Sequence, residues 1–228
     1  MTVATITIGE RLDEACVTTL LRGIEAAVAE RARVLVIEGV ADRFCLGMDF
    51  ATIDEISRLD RLAGFAGMMH ALLVAPIPTL AVIDGPALGG GLGVAAACDV
   101  VLASDRARFG LPEALYGLAP AIIRPALLGR LSAQQLRMLV VTCHSRSADE
   151  AMRLGLVDQL ATVDGLAAAR AHTIRQLRRA SLETVAALRR WDAAELQRAL
   201  AAGLEETAAA LARPAVRAAI ASEDVTWV

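Results

Sequence analysis

The sequence predicts an α/β fold with parallel strands, followed by a helical C-terminal region. Residues 3–8 (VATITI) alternate and are rich in β-branched side chains, which is typical of a strand. Apolar positions then recur at helical spacing over residues 12–29. Residues 34–37 form a continuous apolar run, as expected of a strand buried on both faces. This β–α–β order predicts a parallel pair of strands joined by a right-handed crossover.

The remaining elements follow in the same alternation. Further short apolar runs predict strands at residues 79–83, 100–103, 108–110 and 157–160. Helices are expected at residues 51–62, 61–75, 92–98 and 122–128. Ser132 begins a capping box with Gln135, and Ser147 begins another with Glu150, so each serine marks the start of a further helix.

The C-terminal part of the chain differs in composition from the rest. From residue 163 onward the pattern is helical and rich in alanine, leucine and arginine. We therefore expect a core at residues 1–162 and a C-terminal helical region at residues 163–228.

Composition excludes several classes of function. The chain has 228 residues, a net charge of −3 and only 3% aromatic residues, which gives no basis for nucleic-acid binding. No apolar run is long enough to span a bilayer, and residues 1–14 lack the pattern of a signal peptide. The four cysteines form no CxxC motif, so we expect reduced thiols in a cytoplasmic protein.

Residue types and motifs that are absent from the sequence exclude further kinds of catalysis. The chain contains no lysine, which excludes Schiff-base chemistry, pyridoxal phosphate attachment and a Walker lysine. The three histidines lie far apart in the sequence, and none has the spacing of a metal ligand. No G-x-S-x-G motif of a serine hydrolase occurs either. We therefore expect neither a metal nor an organic cofactor.

Two glycine-containing stretches can present backbone N–H groups to a ligand. Gly90 lies in a run of three glycines between a predicted strand and a predicted helix, where it could donate to developing negative charge. Gly47, in Cys45-Leu46-Gly47-Met48-Asp49, could expose the N–H of Leu46 in the same way, and two such donors form an oxyanion hole. Each stretch could equally be a turn that merely requires glycine.

Glu113 is the candidate acid–base group. It follows Pro112 and is flanked by apolar residues, so loss of solvation would raise its pKa toward the range useful for proton transfer. The alternative is a glutamate that only stabilises a helix N-terminus after a proline. The residues alone do not decide between these two roles.

These motifs, in this order, resemble the enoyl-CoA hydratase/isomerase (crotonase) family over residues 3–160. The matching stretches are FCLGMD, DGPALGGG, AACD and FGLPE. The resemblance implies a crotonase-type ββα superhelix, an acyl thioester substrate, and an enolate held by the N–H groups of Leu46 and Gly90. Many hydratases of the family use two glutamates. The first would fall at Gly93 here and the second corresponds to Glu113, so the resemblance implies a one-glutamate member.

Residues 109–128 are similar to the dehydratases of polyketide β-branching (HMG-CoA synthase) cassettes. Those enzymes convert a 3-hydroxy-3-methylglutaryl group on an acyl carrier protein into 3-methylglutaconyl. An enoyl-CoA isomerase or an ordinary hydratase is the alternative, and a non-catalytic acyl-thioester-binding subunit is a third. The family also implies substrate carried on phosphopantetheine or coenzyme A, a homotrimer or hexamer, and C-terminal helices that act in assembly or as a lid.

Six further residues are candidates for substrate binding. Ile123 and Arg124 lie where typical hydratases have a glycine-rich segment, and Tyr116 is close to Glu113 in sequence. An arginine there could pair with a free carboxylate of the substrate. The other candidates are Met48, Asp49 and Arg43, and the arginine could bind the phosphates of coenzyme A. The alternatives are a surface arginine for Arg124, core packing for Tyr116 and helix capping for Asp49.

Overall fold

The computed structural model describes residues 2–50, 58–191 and 193–222. A five-stranded sheet has the order β1-β2-β3-β5-β8, and every neighbouring pair in it is parallel. These strands are β1 (Val3–Thr7), β2 (Val34–Glu38), β3 (Thr79–Ile83), β5 (Val100–Ser104) and β8 (Gln159–Ala161). The α/β fold with a parallel sheet predicted from the sequence is confirmed.

A second, three-stranded sheet carries the order β4-β6-β7. Its strands are β4 (Pro86–Leu88), β6 (Arg108–Gly110) and β7 (Arg146–Ser147). The β4–β6 pair is parallel and the β6–β7 pair is antiparallel. Because β4 follows β3 after only two residues, this small sheet places the triple-glycine turn directly beside the main sheet.

Ten α-helices and one 3₁₀ helix surround the sheets in the described part of the chain. The helices before residue 130 are α1 (Glu14–Ala29), α2 (Arg58–Leu73), α3 (Gly90–Ala96) and α4 (Arg124–Leu128), and the 3₁₀ helix is Pro112–Tyr116. The later ones are α5 (Ala133–Thr142), α6 (Ala148–Leu154), α7 (Leu166–Leu177), α8 (Leu182–Arg190), α9 (Ala193–Ala212) and α10 (Pro214–Ala221). Both predicted capping boxes are present, at the starts of α5 and α6.

Both faces of the main sheet are buried, which explains its continuous apolar strands. On β2, Leu35 and Ile37 belong to the main hydrophobic core. Val34 and Val36 alternate with them and pack on the other face in a smaller cluster, together with Ile174 of α7. Side chains alternate between the faces of a strand, so burial on both faces requires apolar residues at every position.

The C-terminal helices pack on the core through specific polar contacts. The guanidinium of Arg189, on α8, donates to the Asp99 carboxylate at 2.8 Å. Arg213, just before α10, donates to the carbonyl of Gly117 at 3.0 Å. A Cβ placed on Gly203 of α9 would lie 2.5 Å from the carbonyl oxygen of Ala121, so this helix approaches residues 119–122 very closely. The boundary at residue 162 stays a prediction.

Several sequence-based expectations need correction. The last strand of the main sheet covers Gln159–Ala161 and begins two residues later than expected, while β4 and β7 were not predicted. The expected helix at residues 122–128 begins only at Arg124. The part of the predicted helix 51–62 that covers residues 51–57 lies outside the described residues. No helix in the described ranges is long and apolar enough to cross a membrane, and a cytoplasmic location stays a prediction.

Candidate functional site

Glu113 lies buried in the 3₁₀ helix that follows β6. Pro112 occupies the first turn of this short helix, and Gly117 ends it in the left-handed conformation. The side chain of Glu113 is only 7% exposed, and its Oε2 has no hydrogen-bond partner among the described residues. Burial raises the pKa of this carboxyl to about 7. At neutral pH the group can therefore both accept and donate a proton.

The triple-glycine turn is the immediate neighbour of this carboxyl. A Cβ placed on Gly89 would lie 3.0 Å from Oε1 of Glu113. The N–H of Gly89 donates to the carbonyl of Gly110 at 2.9 Å, which ties the turn to the strand that leads into Glu113. The second sheet thus brings the glycine turn and the carboxyl together, although they are separated by more than twenty residues of sequence.

The loop that contains Gly47 packs on the same turn. Gly47 has φ of +90°, and a Cβ there would lie 2.9 Å from the carbonyl oxygen of Leu88 and 3.2 Å from the nitrogen of Gly90. The loop is held by the Leu88 N–H, which donates to the carbonyl of Cys45, and by the Leu12 N–H, which donates to the carbonyl of Gly47. Both the positive φ and the close approach require glycine at position 47.

The N–H of Leu46 cannot serve as the oxyanion donor that the sequence suggested. It donates to the carbonyl oxygen of Glu10 at 2.7 Å and is therefore already committed to the fold. The assignment of Leu46 as a donor is wrong, although the loop that contains it does lie against the glycine turn. The next available N–H in the loop is that of Met48.

Met48 and Gly90 each present an N–H group at this site that is uncommitted in the described part of the chain. Neither N–H donates a hydrogen bond to another residue within 2–50, 58–191 and 193–222. A Cβ placed on Gly90 would lie 3.6 Å from the nitrogen of Met48, so the two donors border the same space. Both residues line the same cavities as Glu113. The arrangement can hold an oxygen atom that gains negative charge close to a group that moves protons.

Two connected spaces meet at these residues. The outer cleft has a volume of about 610 Å³ and is lined by Arg11, Leu46, Gly47, Met48, Asp49, Phe50, Gly89, Gly90, Pro112, Glu113, Tyr116 and Ile220. The inner cavity has a volume of about 30 Å³ and is lined by Met48, Phe50, Leu62, Phe65, Gly90, Glu113, Ala119, Pro120, Ala121, Ile122, Ile123 and Thr207. Met48, Phe50, Gly90 and Glu113 line both spaces, so the two spaces adjoin at these residues.

Ile123 fills the space beside Gly93. A Cβ placed on Gly93 would lie 2.2 Å from Cγ2 and 2.5 Å from Cβ of Ile123, which is closer than non-bonded carbon atoms can approach. By the resemblance drawn from the motifs, position 93 is where a two-glutamate member of the family would carry its first glutamate, and this correspondence stays a prediction. Here the apolar side chain of Ile123 occupies that space. Glu113 therefore provides the one carboxyl among the described residues that line the inner cavity.

The structure places four of the six proposed substrate-binding residues at the site. Met48, Asp49 and Tyr116 line the outer cleft, and Ile123 lines the inner cavity. Whether they contact substrate stays a prediction.

The two arginines among those candidates lie away from both spaces. Arg124 is exposed at the start of α4 and lines neither the cleft nor the cavity. Arg43 is half exposed and forms an ion pair with Glu10. Arg124 is therefore not placed to bind the acyl group, and the role of Arg43 in binding a phosphate of the substrate carrier stays a prediction.

Three residues at or behind the site were missed by the sequence analysis. Thr207 of α9 lines the inner cavity, and Arg11 lines the outer cleft. Arg130 has a nearly buried side chain that donates to the carbonyls of Ala96, Cys98 and Asp99 at the end of α3 and pairs with Asp158. A lone arginine just before a capping box was the only available signal for Arg130.

Metal-binding side chains are not clustered in the described part of the chain. No group of three or more His, Cys, Asp or Glu side chains there is arranged to hold a metal ion. All four cysteines are free thiols.

The chain belongs to the enoyl-CoA hydratase/isomerase family, whose model matches residues 1–221. The resemblance drawn from the motifs is thereby confirmed, and with it the crotonase-type fold. Among solved structures, a putative enoyl-CoA hydratase from Mycobacterium avium paratuberculosis superposes with a TM-score of 0.83 at 28% identity, over 96% of this chain and 89% of that chain.

Two curated relatives differ in their named activities. The enoyl-CoA isomerase/hydratase fer4 of Mycosarcoma maydis is 36% identical over 57% of this chain and 49% of its own length. The bacillaene synthase dehydratase PksH of Bacillus subtilis is 32% identical over 67% of this chain and 59% of its own length. The matched segments therefore span about half to three-fifths of these relatives. A solved structure of a putative pksH hydratase from Bacillus subtilis shares the fold, with a TM-score of 0.83 at 22% identity.

Proposed function

We propose that this chain is a lyase that removes water from a 3-hydroxyacyl thioester, with Glu113 moving both protons of the reaction. The observation that carries this proposal is the buried, unpaired carboxyl of Glu113 beside the uncommitted N–H groups of Met48 and Gly90. A carboxyl with a pKa of about 7 has both protonation states populated at neutral pH, as acid–base catalysis requires.

One carboxyl is sufficient for the elimination. The Glu113 carboxylate takes the proton from the α-carbon, and the electron pair of that C–H bond moves onto the thioester oxygen to form an enolate. The N–H groups of Met48 and Gly90 donate to this oxygen and stabilise its charge, and in a preorganised site each donor contributes about 3 kcal/mol. The enolate then expels the β-hydroxyl, which leaves as water with the proton held by Glu113, and the carboxylate is restored.

For the acyl group and its carrier, the proposal is 3-hydroxy-3-methylglutaryl on an acyl carrier protein, which would place the chain in polyketide biosynthesis. Two findings support this choice: the similarity to the bacillaene synthase dehydratase PksH, and the sequence of residues 109–128. The coenzyme A thioester of the same acid is the alternative carrier. A comparison of the two thioesters, with the products analysed by mass spectrometry, distinguishes them.

An acidic carrier protein would need a basic surface, and the C-terminal helices are rich in arginine. Two of these arginines, however, are paired within the chain. Arg170 donates to the Glu38 carboxylate at 2.9 Å, and Arg189 pairs with Asp99 at 2.8 Å. These arginines hold α7 and α8 to the core. Assembly as a homotrimer or hexamer is proposed on family resemblance and is checked by light scattering of the purified chain.

The decisive experiment compares Glu113→Gln with the wild type on a 3-hydroxyacyl thioester. We expect kcat to fall by about 10²–10⁴-fold because the amide cannot move a proton. Glu25→Gln is the matched control, since Glu25 is exposed on α1 and should leave kcat unchanged. Undiminished dehydration by Glu113→Gln would contradict the mechanism. Binding of the thioester by the wild type without any turnover would favour the non-catalytic role instead.

The second candidate is an enoyl-CoA isomerase, favoured by the same single carboxyl. A group that takes a proton from one carbon can return it to another, and fer4 is named for both isomerase and hydratase activity. The product masses separate the two functions. Dehydration lowers the mass of the acyl group by one water, whereas isomerisation leaves the mass unchanged and moves the double bond.

A further inference from the structure

Tyr116 lies on the same side of the 3₁₀ helix as Glu113, one turn further along the chain. A 3₁₀ helix has three residues per turn, so the side chains of residues three apart lie above one another. The helix spans Pro112–Tyr116, and both Glu113 and Tyr116 line the outer cleft. A molecule that enters the cleft and reaches the carboxyl therefore also meets the tyrosine.

The hydroxyl of Tyr116 is free, while its ring is held by the core. The ring is partly buried and packs against the main hydrophobic cluster. The hydroxyl has no hydrogen-bond partner among residues 2–50, 58–191 and 193–222. A tyrosine buries an apolar body and keeps a polar tip that normally bonds water or a partner. Here the tip is available to a ligand in the cleft.

No other hydroxyl at the site is equally available. Among the described residues that line the cleft or the inner cavity, only Thr207 and Tyr116 carry a hydroxyl. That of Thr207 already donates to a backbone carbonyl at 2.8 Å. Two further charged residues line the cleft, but Asp49 lies in the Gly47 loop and Arg11 in the segment that is hydrogen-bonded to that loop. Tyr116 is therefore the hydroxyl donor best placed for a group held against the carboxyl.

We propose that Tyr116 donates a hydrogen bond to the β-hydroxyl of the substrate and orients it for expulsion. This inference rests on the proposed function, in which the β-hydroxyl leaves with a proton from Glu113 and must therefore lie against that carboxyl. The enolate electrons form the double bond between the α- and β-carbons, and the electron pair of the breaking carbon–oxygen bond moves onto the departing oxygen. The proton from Glu113 completes the water molecule, and the phenol keeps its own proton throughout.

The hydrogen bond from Tyr116 strengthens during this step. The departing oxygen gains negative charge, and hydrogen bonds to charged acceptors are shorter and stronger than those to neutral ones. An interaction that is stronger in the transition state than in the bound substrate raises kcat. Removal of the hydroxyl should therefore slow the expulsion of water more than it weakens binding.

The test separates expulsion of the β-hydroxyl from the earlier removal of the α-proton. Expulsion is measured as dehydration of 3-hydroxy-3-methylglutaryl thioesters, carried on coenzyme A and on acyl carrier protein. Proton removal is measured by mass spectrometry as deuterium uptake from D₂O by the 3-methylglutaryl thioesters, which have no hydroxyl to expel. In Tyr116→Phe we expect kcat for dehydration to fall by about 10–100-fold and deuterium uptake to stay within about twofold of the wild type. Glu113→Gln should lose both reactions.

A control on the same helix detects a general disturbance of its shape. Leu115 is 42% exposed and lines neither the cleft nor the inner cavity. Leu115→Ala should leave both reactions unchanged. If it lowered dehydration as much as Tyr116→Phe does, the effect would belong to the helix as a whole, and the inference would be overturned.

The outcomes distinguish failure of this inference from failure of the proposed function. Wild-type dehydration by Tyr116→Phe, with Glu113→Gln inactive, would overturn the role of Tyr116 and leave the proposed function intact. An equal loss of dehydration and deuterium uptake in Tyr116→Phe would also overturn it, because the tyrosine would then act on the enolate. If the wild type takes up deuterium but dehydrates none of these thioesters, the proposed lyase fails, and the role of Tyr116 fails with it.

Discussion

Replacing Glu113 with glutamine should make the stability of the protein less dependent on pH. In the unfolded chain this carboxyl titrates near its ordinary pKa of 4.5, whereas burial raises its pKa to about 7 in the folded protein. Below pH 4.5 both states are protonated, and burial of the acid has no ionisation cost. Between pH 4.5 and 7 the unfolded chain releases the proton while the folded chain retains it, so folding becomes less favourable as the pH rises.

The size of this effect follows from the two pKa values. Each pKa unit corresponds to about 1.4 kcal/mol, so the wild type should lose about 3 kcal/mol of stability through this one group once the pH exceeds 7. Glu113→Gln removes the titration. Between pH 5 and pH 8 its free energy of unfolding should therefore rise by about 2–3 kcal/mol relative to that of the wild type.

Urea unfolding at both pH values, at equal protein concentration, measures this difference. Any hydrogen-bond cost of the buried amide is the same at both pH values and cancels in the comparison. Glu25→Gln, on the surface of α1, controls for the change in net charge. If the gap between Glu113→Gln and the wild type were equal at pH 5 and pH 8, the carboxyl would not be desolvated in the way that its burial implies.

Two further predictions concern the backbone of the site and the support behind it. Gly47→Ala should cost about 2 kcal/mol in urea unfolding because of its positive φ, and should lower kcat roughly a hundredfold by displacing the N–H that follows it. Gly67→Ala, where a Cβ meets no atom within 4 Å, should leave kcat unchanged and serves as its control. Arg130→Ala should destabilise the protein by about 3 kcal/mol, since it leaves carbonyls at the end of α3 without donors. Arg106→Ala, which breaks only a surface pair with Asp84, should destabilise the protein far less, and an equal loss in both variants would contradict the role of Arg130.

Local sequence was sufficient to predict those strands and helices whose formation depends on residues close together in the chain. The strands at Val34–Glu38 and Thr79–Ile83 are marked by continuous apolar runs, and the capping boxes mark the starts of α5 and α6. The strands β4 and β7 span only three and two residues, too few for a periodic pattern. They exist because β6 lies between them, a long-range pairing that local propensity does not encode.

At the candidate site, the sequence identified segments that meet in the structure, but it could not show which of their N–H groups are free. Its motifs pointed to Gly90, to Glu113 and to the loop after β2. They could not show that the N–H of Leu46 is taken by the carbonyl of Glu10, because that contact depends on how two distant segments meet. The same limit applies to Ile123 and Arg124: no helical period fixes the residues before α4, and the structure turns the first inward and the second outward.

Among the described residues that line the inner cavity, Thr207 of α9 is the last to be synthesised. Phe65 and Ile123 leave the ribosome well before Thr207 of α9, which completes the lining. During that interval the apolar lining faces water, and the surroundings that raise the pKa of Glu113 are incomplete. The lining around Glu113 is therefore complete only once α9 has been synthesised. A chain that ends before α9 would contain the glycine turn and the Gly47 loop but would lack the Thr207 wall of the cavity.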